Sequence, residues 1–245
     1  MHPRIVLATS ARVFKQLRHD PRTLALMLVV PCVLLGLLAW MYSDTPLLFD
    51  HIGASLLGIF PFVIMFLITS ITTLRERTSG TLERLLAMPV GKLDIILGYA
   101  LTFGFLAMIQ SLVAGFISIH VYGLNVVGPE WFVFVIAIVD AILGAALGLF
   151  VSAFASTEFQ AVQFMPAFIL PQFLLCGLLV PLAHLPHALY LIAKCLPLTY
   201  SVSAMQWVSI QPAISDEAYR DVLIVLAFAV GAIILGAATL RRQTK

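Results

Sequence analysis

Few residues of this chain have the types and spacing that chemistry needs. Gly91-Lys92 is its one Gly-Lys pair, but Leu86 stands where a phosphate-cradling loop begins with glycine, and Leu93 replaces the Ser or Thr that would meet magnesium. There is no His-Glu-x-x-His helix and no Gly-x-Ser-x-Gly elbow. His184 and His187 are three apart, yet Pro186 between them spoils a shared helical face, so they read as polar outer-loop residues rather than metal ligands. The cysteines, Cys32, Cys176 and Cys195, are odd in number and lack metal-ligand spacing. Cys176 and Cys195 are expected near the outer face, where a disulfide is chemically open to them, although free thiols are the simpler reading. No catalytic or metal-binding set results.

The elements explain why. Of 245 residues 61% are apolar and 11% charged, and the mean hydropathy is +1.05. That excludes a soluble enzyme, a disordered tail and a nucleic-acid reader, and places the chain in a bilayer. A helix crosses about 30 Å of hydrocarbon with roughly 20 apolar residues. Such stretches run over 23–43, 52–74, 95–122, 131–155 and 221–240. The third is longer than needed, hence either tilted or extended past the headgroups, and the fourth is broken only by Asp140. Between the last two, Phe159–Ala193 is uncharged but holds Pro166, Pro171, Pro181 and Pro186, each of which removes a backbone donor. The expectation is a span over 159–180 and a short outer hairpin over 181–198. Cys195–Ser215 competes as a seventh span, against which stand Pro197, Pro212, Gln206, Gln211 and four serines, Ser201, Ser203, Ser209 and Ser215.

Charge decides the count. With six spans, Arg4, Arg12, Lys15, Arg18, Arg22, Arg75, Arg77, Arg84, Lys92, Arg241, Arg242 and Lys245 share one side, and only Lys194 and Arg220 lie opposite. The positive-inside rule then puts both termini in the cytoplasm, whereas a seventh span would carry the basic C-terminus outside. Met1–Arg22 has no short apolar region ending in a cleavage site, so no removable signal is expected. Two units follow: an N-terminal helix over 1–22 and a six-span membrane domain over 23–245.

Two cytoplasmic elements could receive force. In Met1–Arg22, Ile5, Val6, Val13, Phe14 and Leu17 recur near three and four, which predicts an amphipathic helix along the inner interface. It is either a plain anchor or part of a mechanism. After the second span, Thr78 and Ser79 can cap a helix beginning near Gly80 or Thr81, with Leu82, Leu85, Leu86 and Met88 on one side and Pro89 as its stop. Too polar to insert and too apolar for water, this helix rests either on lipid or in a protein groove. Its mixed charges beside an apolar ridge suit a groove better than headgroups of one sign.

The run from Arg75 through Gly80 to Pro89 and Val90 resembles the signature of ABC-2 type permeases, the membrane subunits of ATP-driven exporters of drugs, lipids and polysaccharides. Gln16–Thr23 is similar to that family's approach to its first span, and Gly177–Pro186 with Leu196-Pro197-Leu198-Thr199-Tyr200 resembles its outer re-entrant hairpin. The resemblance covers the chain from about Val13 onward. It implies an all-α, multi-pass protein of the bacterial cytoplasmic (inner) membrane: six spans, an interfacial connecting helix at the N-terminus and a coupling helix after the second span. That helix would dock into an ABC ATPase subunit, present in two copies, through Arg75, Glu76, Arg77, Thr81, Leu82, Glu83, Arg84, Leu85 and Leu86. It further implies pairing with a second permease half, the same chain or a sister, and a lipophilic cargo. ATP and magnesium would belong to the ATPase, so no cofactor is expected in this chain.

Within the membrane, Asp140 lies ten residues after Glu130, about 15 Å along a helix and near mid-bilayer. A charge there costs about 2.5–3.5 kcal/mol, so the group should face the bundle or be protonated. It is either part of a substrate path or a hydrogen bond locking two helices, and Gln110 and Gln172 pose the same alternatives. Gly144 with Gly148, and Ala232 with Gly236, have the spacing that permits close helix packing. Phe62, Met65 and Phe66, with Phe164 and Phe168, are lipid-facing filler or, where the second and fifth spans meet across a dimer as the resemblance implies, the lining of a greasy path that includes Asp140 and Gln172. The rival function is an ion-coupled carrier or channel without an ATPase. It calls for several intramembrane ionisable groups and an internal repeat, of which only Asp140 is present. For a third, an intramembrane enzyme or assembly factor, no catalytic constellation is visible.

Overall fold

The computed structural model describes residues 2–81 and 91–239, and no strand occurs among them. Helix α1 (Pro3–Arg18) leads through His19 to α2 (Pro21–Met41), whose N-cap Asp20 accepts from the Thr23 N–H at 3.2 Å and the Thr23 hydroxyl at 2.6 Å. Then come α3 (Pro46–Thr78), α4 (Lys92–His120), α5 (Glu130–Ser152), α6 (Glu158–Leu175), one 3₁₀ turn (Leu182–His184), α7 (His187–Lys194), α8 (Pro197–Ile210) and α9 (Asp216–Thr239). Proline at the first position of α1, α2, α3 and α8 suits a site whose N–H has no intrahelical partner.

Among the described residues five helices, α2, α3, α4, α5 and α9, are long and apolar enough to cross a membrane, and the pair α7–α8, bent by 89°, makes a sixth if taken as one span. The stretch expected to cross over 159–180 instead gives α6, which ends at Leu175 and is not in that set. Gln160, Gln163 and Gln172, with Pro166 and Pro171 inside the helix, dilute its apolar content.

The second span also differs from expectation. α3 runs unbroken for 33 residues, with Thr78 its last and Ser79 its C-cap. Both hydroxyls turn back, Thr78 Oγ1 donating to the Leu74 carbonyl and Ser79 Oγ to that of Glu76, each at 3.2 Å. Nothing in Arg75–Ser79 opposes helix, and the chain leaves it at Gly80, whose φ of 72° is a left-handed conformation that glycine adopts without strain. The expected coupling helix, from near Gly80 or Thr81 to its stop at Pro89, falls outside the described residues from position 82 onward.

The core forms where α3 lies against α5, the most extensive helix contact. The glycine step of α5 sets it. A Cβ at Gly144 would enter the Phe62 carbonyl, and one at Gly148 would stand 2.6 Å from the Phe66 carbonyl oxygen, so two backbones touch. α9 packs on α5 through its own small step, where a Cβ added at Gly236 would stand 3.6 Å from the Phe150 backbone. α8 fills the angle between α3 and α9. Its Ser201 meets Asp140 halfway along α5, and its Val208 carbonyl accepts from the Gly128 N–H at 2.9 Å, just before α5 begins. α8 therefore lies beside the first half of α5 only.

Candidate functional site

At the end of α3, three consecutive charged residues each join a different neighbour, because successive helical side chains point about 100° apart. Arg75 forms a two-pronged pair with Glu158 at the start of α6, Nε to Oε1 at 2.7 Å and Nη2 to Oε2 at 3.0 Å. Arg77 donates to the Ser152 carbonyl at the end of α5, one of the carbonyls a helix leaves without an internal partner. Glu76 turns inward. Arg12 of α1 grips it with both nitrogens, Nη1 to Oε1 at 3.2 Å and Nη2 to Oε2 at 2.8 Å, and the Tyr99 hydroxyl of α4 donates to Oε2.

Arg12 Nη2 also donates to the Tyr99 hydroxyl at 2.9 Å, and its Cζ lies 5.8 Å from the centre of that ring. Glu76 is 2% exposed and Arg12 33%, so the carboxylate is the buried partner. Burial works against the Arg12 charge, but the Glu76 hydrogen bond and Tyr99 outweigh it and hold its pKa above the usual arginine value. Outside, the Arg75 hydrogen bond holds the Glu158 carboxyl below its ordinary range. One turn of α3 thus fastens α1, α4, α5 and α6 immediately before the segment expected to take force.

Of the nine residues expected at the coupling contact, Arg75, Glu76 and Arg77 belong to α3 and are engaged within the chain, and the Thr81 hydroxyl lies 3.0 Å from that of Ser79. Leu82, Glu83, Arg84, Leu85 and Leu86 fall outside the described residues.

The second candidate group is divided. Phe62 and Phe66 are fully buried in one core with Phe164 packed against it, whereas Met65, also fully buried, faces a second core with Tyr99, Phe103 and Leu149. Phe168 is 42% exposed and touches the Phe164 ring at 6.2 Å between centroids. Gln172 is buried, donating Nε2 to the Phe168 carbonyl at 3.0 Å. Asp140 is fully buried and its Oδ2 accepts from the Ser201 hydroxyl, while Oδ1 has no partner among the described residues. Gly58 of α3 leaves room for this carboxyl, since a Cβ there would collide with Oδ2. Gln110 is buried with neither amide atom paired among the described residues. Cys32 and Cys176 are buried and Cys195 exposed, all three free.

Arg12, Tyr99, Ser152 and Glu158 are engaged at the joint although sequence reasoning passed over them. The one available signal was the position of Arg12, on a different side of α1 from Arg4 and Arg18; nothing local marks Tyr99 or Glu158 as partners of the α3 end.

The sequence model of the ABC-2 type transporter family matches residues 5–209, most of the chain. The chain belongs to the ABC-2 type transporter family. Among relatives, this ABC-2 protein is 26% identical over 169 residues to the probable multidrug ABC transporter permease YbhS of Escherichia coli strain K12, covering 69% of this chain and 45% of that protein. It is 27% identical over 132 residues to the probable multidrug ABC transporter permease YbhR of the same strain, covering 54% and 36%. With ABC transporter G family member 20 of Dictyostelium discoideum it shares 29% identity over 157 residues, covering 64% and 22%. The chain spans less than half the length of the curated relatives it matches.

Proposed function

We propose that this chain is the membrane-spanning permease subunit of an ATP-driven exporter, paired with a second permease half and worked by two separate ABC ATPase subunits. The observation that carries this reading is the joint at the end of α3. A helix of 33 residues leaves the membrane and is tied by Arg75, Glu76 and Arg77 to four other elements just before residues 82–90. Force applied to that segment would reach the bundle through a rigid link rather than a hinge.

In this mechanism the segment is the coupling helix, seated on the ATPase by Leu82, Leu85 and Leu86 and oriented by Glu83 and Arg84. Closure of the ATPases on ATP pushes it, and the two halves rock from inward-open to outward-open because ATP binds the closed form more tightly. α1 lies at the inner interface, α6 makes the sixth crossing despite its diluted apolarity, α7 with the start of α8 dips in from the outer face and returns, and both termini are cytoplasmic. That α8 lies beside only half of α5 supports this topology, as does the basic charge at the α3 end. The cargo is lipophilic, a drug, lipid or glycolipid, in keeping with the names of the two Escherichia coli relatives.

The deciding test is purification with the candidate ATPase and reconstitution in vesicles. Stable association and a rise in ATPase activity are expected, and solute movement with no ATPase present would refute the reading. Leu85→Asp is expected to leave insertion and yield intact and to abolish export.

A further inference from the structure

One ionisable side chain of the membrane domain has no part in the joint at the end of α3. Asp140 is fully buried halfway along α5, where Gly58 of α3 leaves the space that its carboxyl fills and Met205 of α8 borders the same space. Two acceptor oxygens meet one donor: the Ser201 hydroxyl serves Oδ2, and Oδ1 has none among the described residues. Cys176, at the end of α6, is within electrostatic reach, and its thiol is taken by the Phe173 carbonyl at 3.1 Å. Tyr200, next to Ser201, turns away to donate to the Lys194 carbonyl at 2.7 Å. The remaining surroundings bring no charge. Along α3 the titratable groups nearest to Gly58 are His51 and Arg75, and along α4 they stop at Tyr99 and resume at His120. On α6 the one charge is Glu158, and on α9 the last is Asp221, paired with Arg220.

An ionised carboxylate in the apolar middle of a bundle needs a cation or several donors, and one hydroxyl is neither. The uncharged acid tolerates the same surroundings, since a single hydrogen bond then meets most of its demand. α8 is what seals the site. Its first turn is locked to α7, Thr199 Oγ1 donating to the Ala193 carbonyl at 2.8 Å, and Ser201 and Met205 follow on the side that meets Asp140 and Gly58. Ionising Asp140 therefore calls for water, and water arrives when this part of α8 lifts.

We propose that Asp140 is a proton-binding site in the middle of the membrane domain, and that its proton is what allows α8 to seat against α3 and α5. The seated and lifted forms then differ by one proton, taken up on seating and released to water on lifting. The seated form binds more protons, so its share falls as pH rises. A single site without a second ionisable group is a switch and not the relay of an ion-coupled carrier. This requires the membrane crossing of α5 and not the ATPase partnership.

Infrared spectroscopy of the purified full chain reads the proton directly, because a neutral carboxylic acid has a C=O stretch clear of the carboxylate and amide bands. At neutral pH the parent is expected to show such a band, lost in Asp140→Asn and displaced in Ser201→Ala, which removes the hydrogen bond and leaves the carboxyl in place. The link to α8 is read with Ala204→Cys, a fully buried position on that helix, in a chain whose Cys32, Cys176 and Cys195 are replaced by Ser. Its maleimide labelling rate is divided by that of the same chain carrying Asp140→Asn, which cancels the ionisation of the thiol itself. The ratio is expected to climb by about tenfold per pH unit, the slope for one proton. Absence of the neutral-acid band, or a band that neither substitution alters, overturns the site. A flat ratio overturns the link to α8. The permease reading is judged apart from both, by ATPase association.

Discussion

At the scale of single residues, Glu76 is the side chain whose surroundings matter most. It is buried, and its charge is tolerated because Arg12 and Tyr99 supply three hydrogen bonds to its two oxygens. Removing one partner of a buried pair is costlier than the pair is worth, because it strands the other. Arg12 is partly open to water, so Arg12→Met is expected to cost about 2 kcal/mol, between the 0–1 of a surface pair and the 3–5 of a fully buried one. Thermal unfolding in detergent measures this. Adding Glu76→Gln should restore more than half of the lost Tm, since no charge is then stranded; a further additive fall would refute the account. The Arg75–Glu158 pair, exposed at both ends, contributes far less to stability and acts as an orienting contact.

At the scale of elements, the fold depends on close approach. Gly144→Ala would drive a methyl into the Phe62 carbonyl, and α3 and α5 must then separate or bend. We expect a cost of about 1–3 kcal/mol or more and a sharp drop in detergent-stable protein. Gly231→Ala in α9, where nothing lies within 4 Å, should leave Tm unchanged or raise it. Equal effects of the two would refute the packing argument. The start of α2 carries an acid-sensitive cap. The hydroxyl of Thr23, then its N–H, lowers the Asp20 pKa below the usual carboxylate value. A depressed folded pKa means that the ionised form is the stabilising one. The contribution is therefore complete above the ordinary aspartate range and lost as pH falls through it and below. Asp20→Ala should cost about 1 kcal/mol at neutral pH and flatten the loss of stability between roughly pH 5 and pH 3, which unfolding across that range would reveal.

At the scale of the whole molecule, the arrangement makes a prediction about thiols. Of the three cysteines only Cys195 is exposed, beside Lys194 at the junction of α7 and α8. In the proposed topology the hairpin carries Cys195 to its inner turn, so Ala213→Cys, in the exposed loop between α8 and α9, is the outer reporter. With Cys195→Ser as the background, a membrane-impermeant maleimide added to intact cells should label that variant once and its parent not at all. Cys32 and Cys176 should react only on unfolding. Labelling of Ala213→Cys that needs permeabilised cells would reverse the orientation.

Much of this protein was legible without coordinates because the bilayer imposes one-dimensional rules. Length and apolarity mark α2, α3, α4, α5 and α9, basic residues collect toward one side, and Gly144 and Gly148 advertise a packing seam since only small side chains let backbones touch. Where apolarity is diluted those rules weaken, as in α6 and the α7–α8 pair, whose bend depends on neighbours rather than on local composition. Charge beyond position 74 marks an exit from the membrane and not the end of a helix: charged residues continue a helix readily when partners wait beside it. Those partners, Arg12, Tyr99, Ser152 and Glu158, are separated from their contacts on Arg75, Glu76 and Arg77 by 23 to 83 positions along the chain. Only tertiary structure brings them together, because the geometry of a hydrogen bond is set by helix packing and leaves no periodic trace in the sequence.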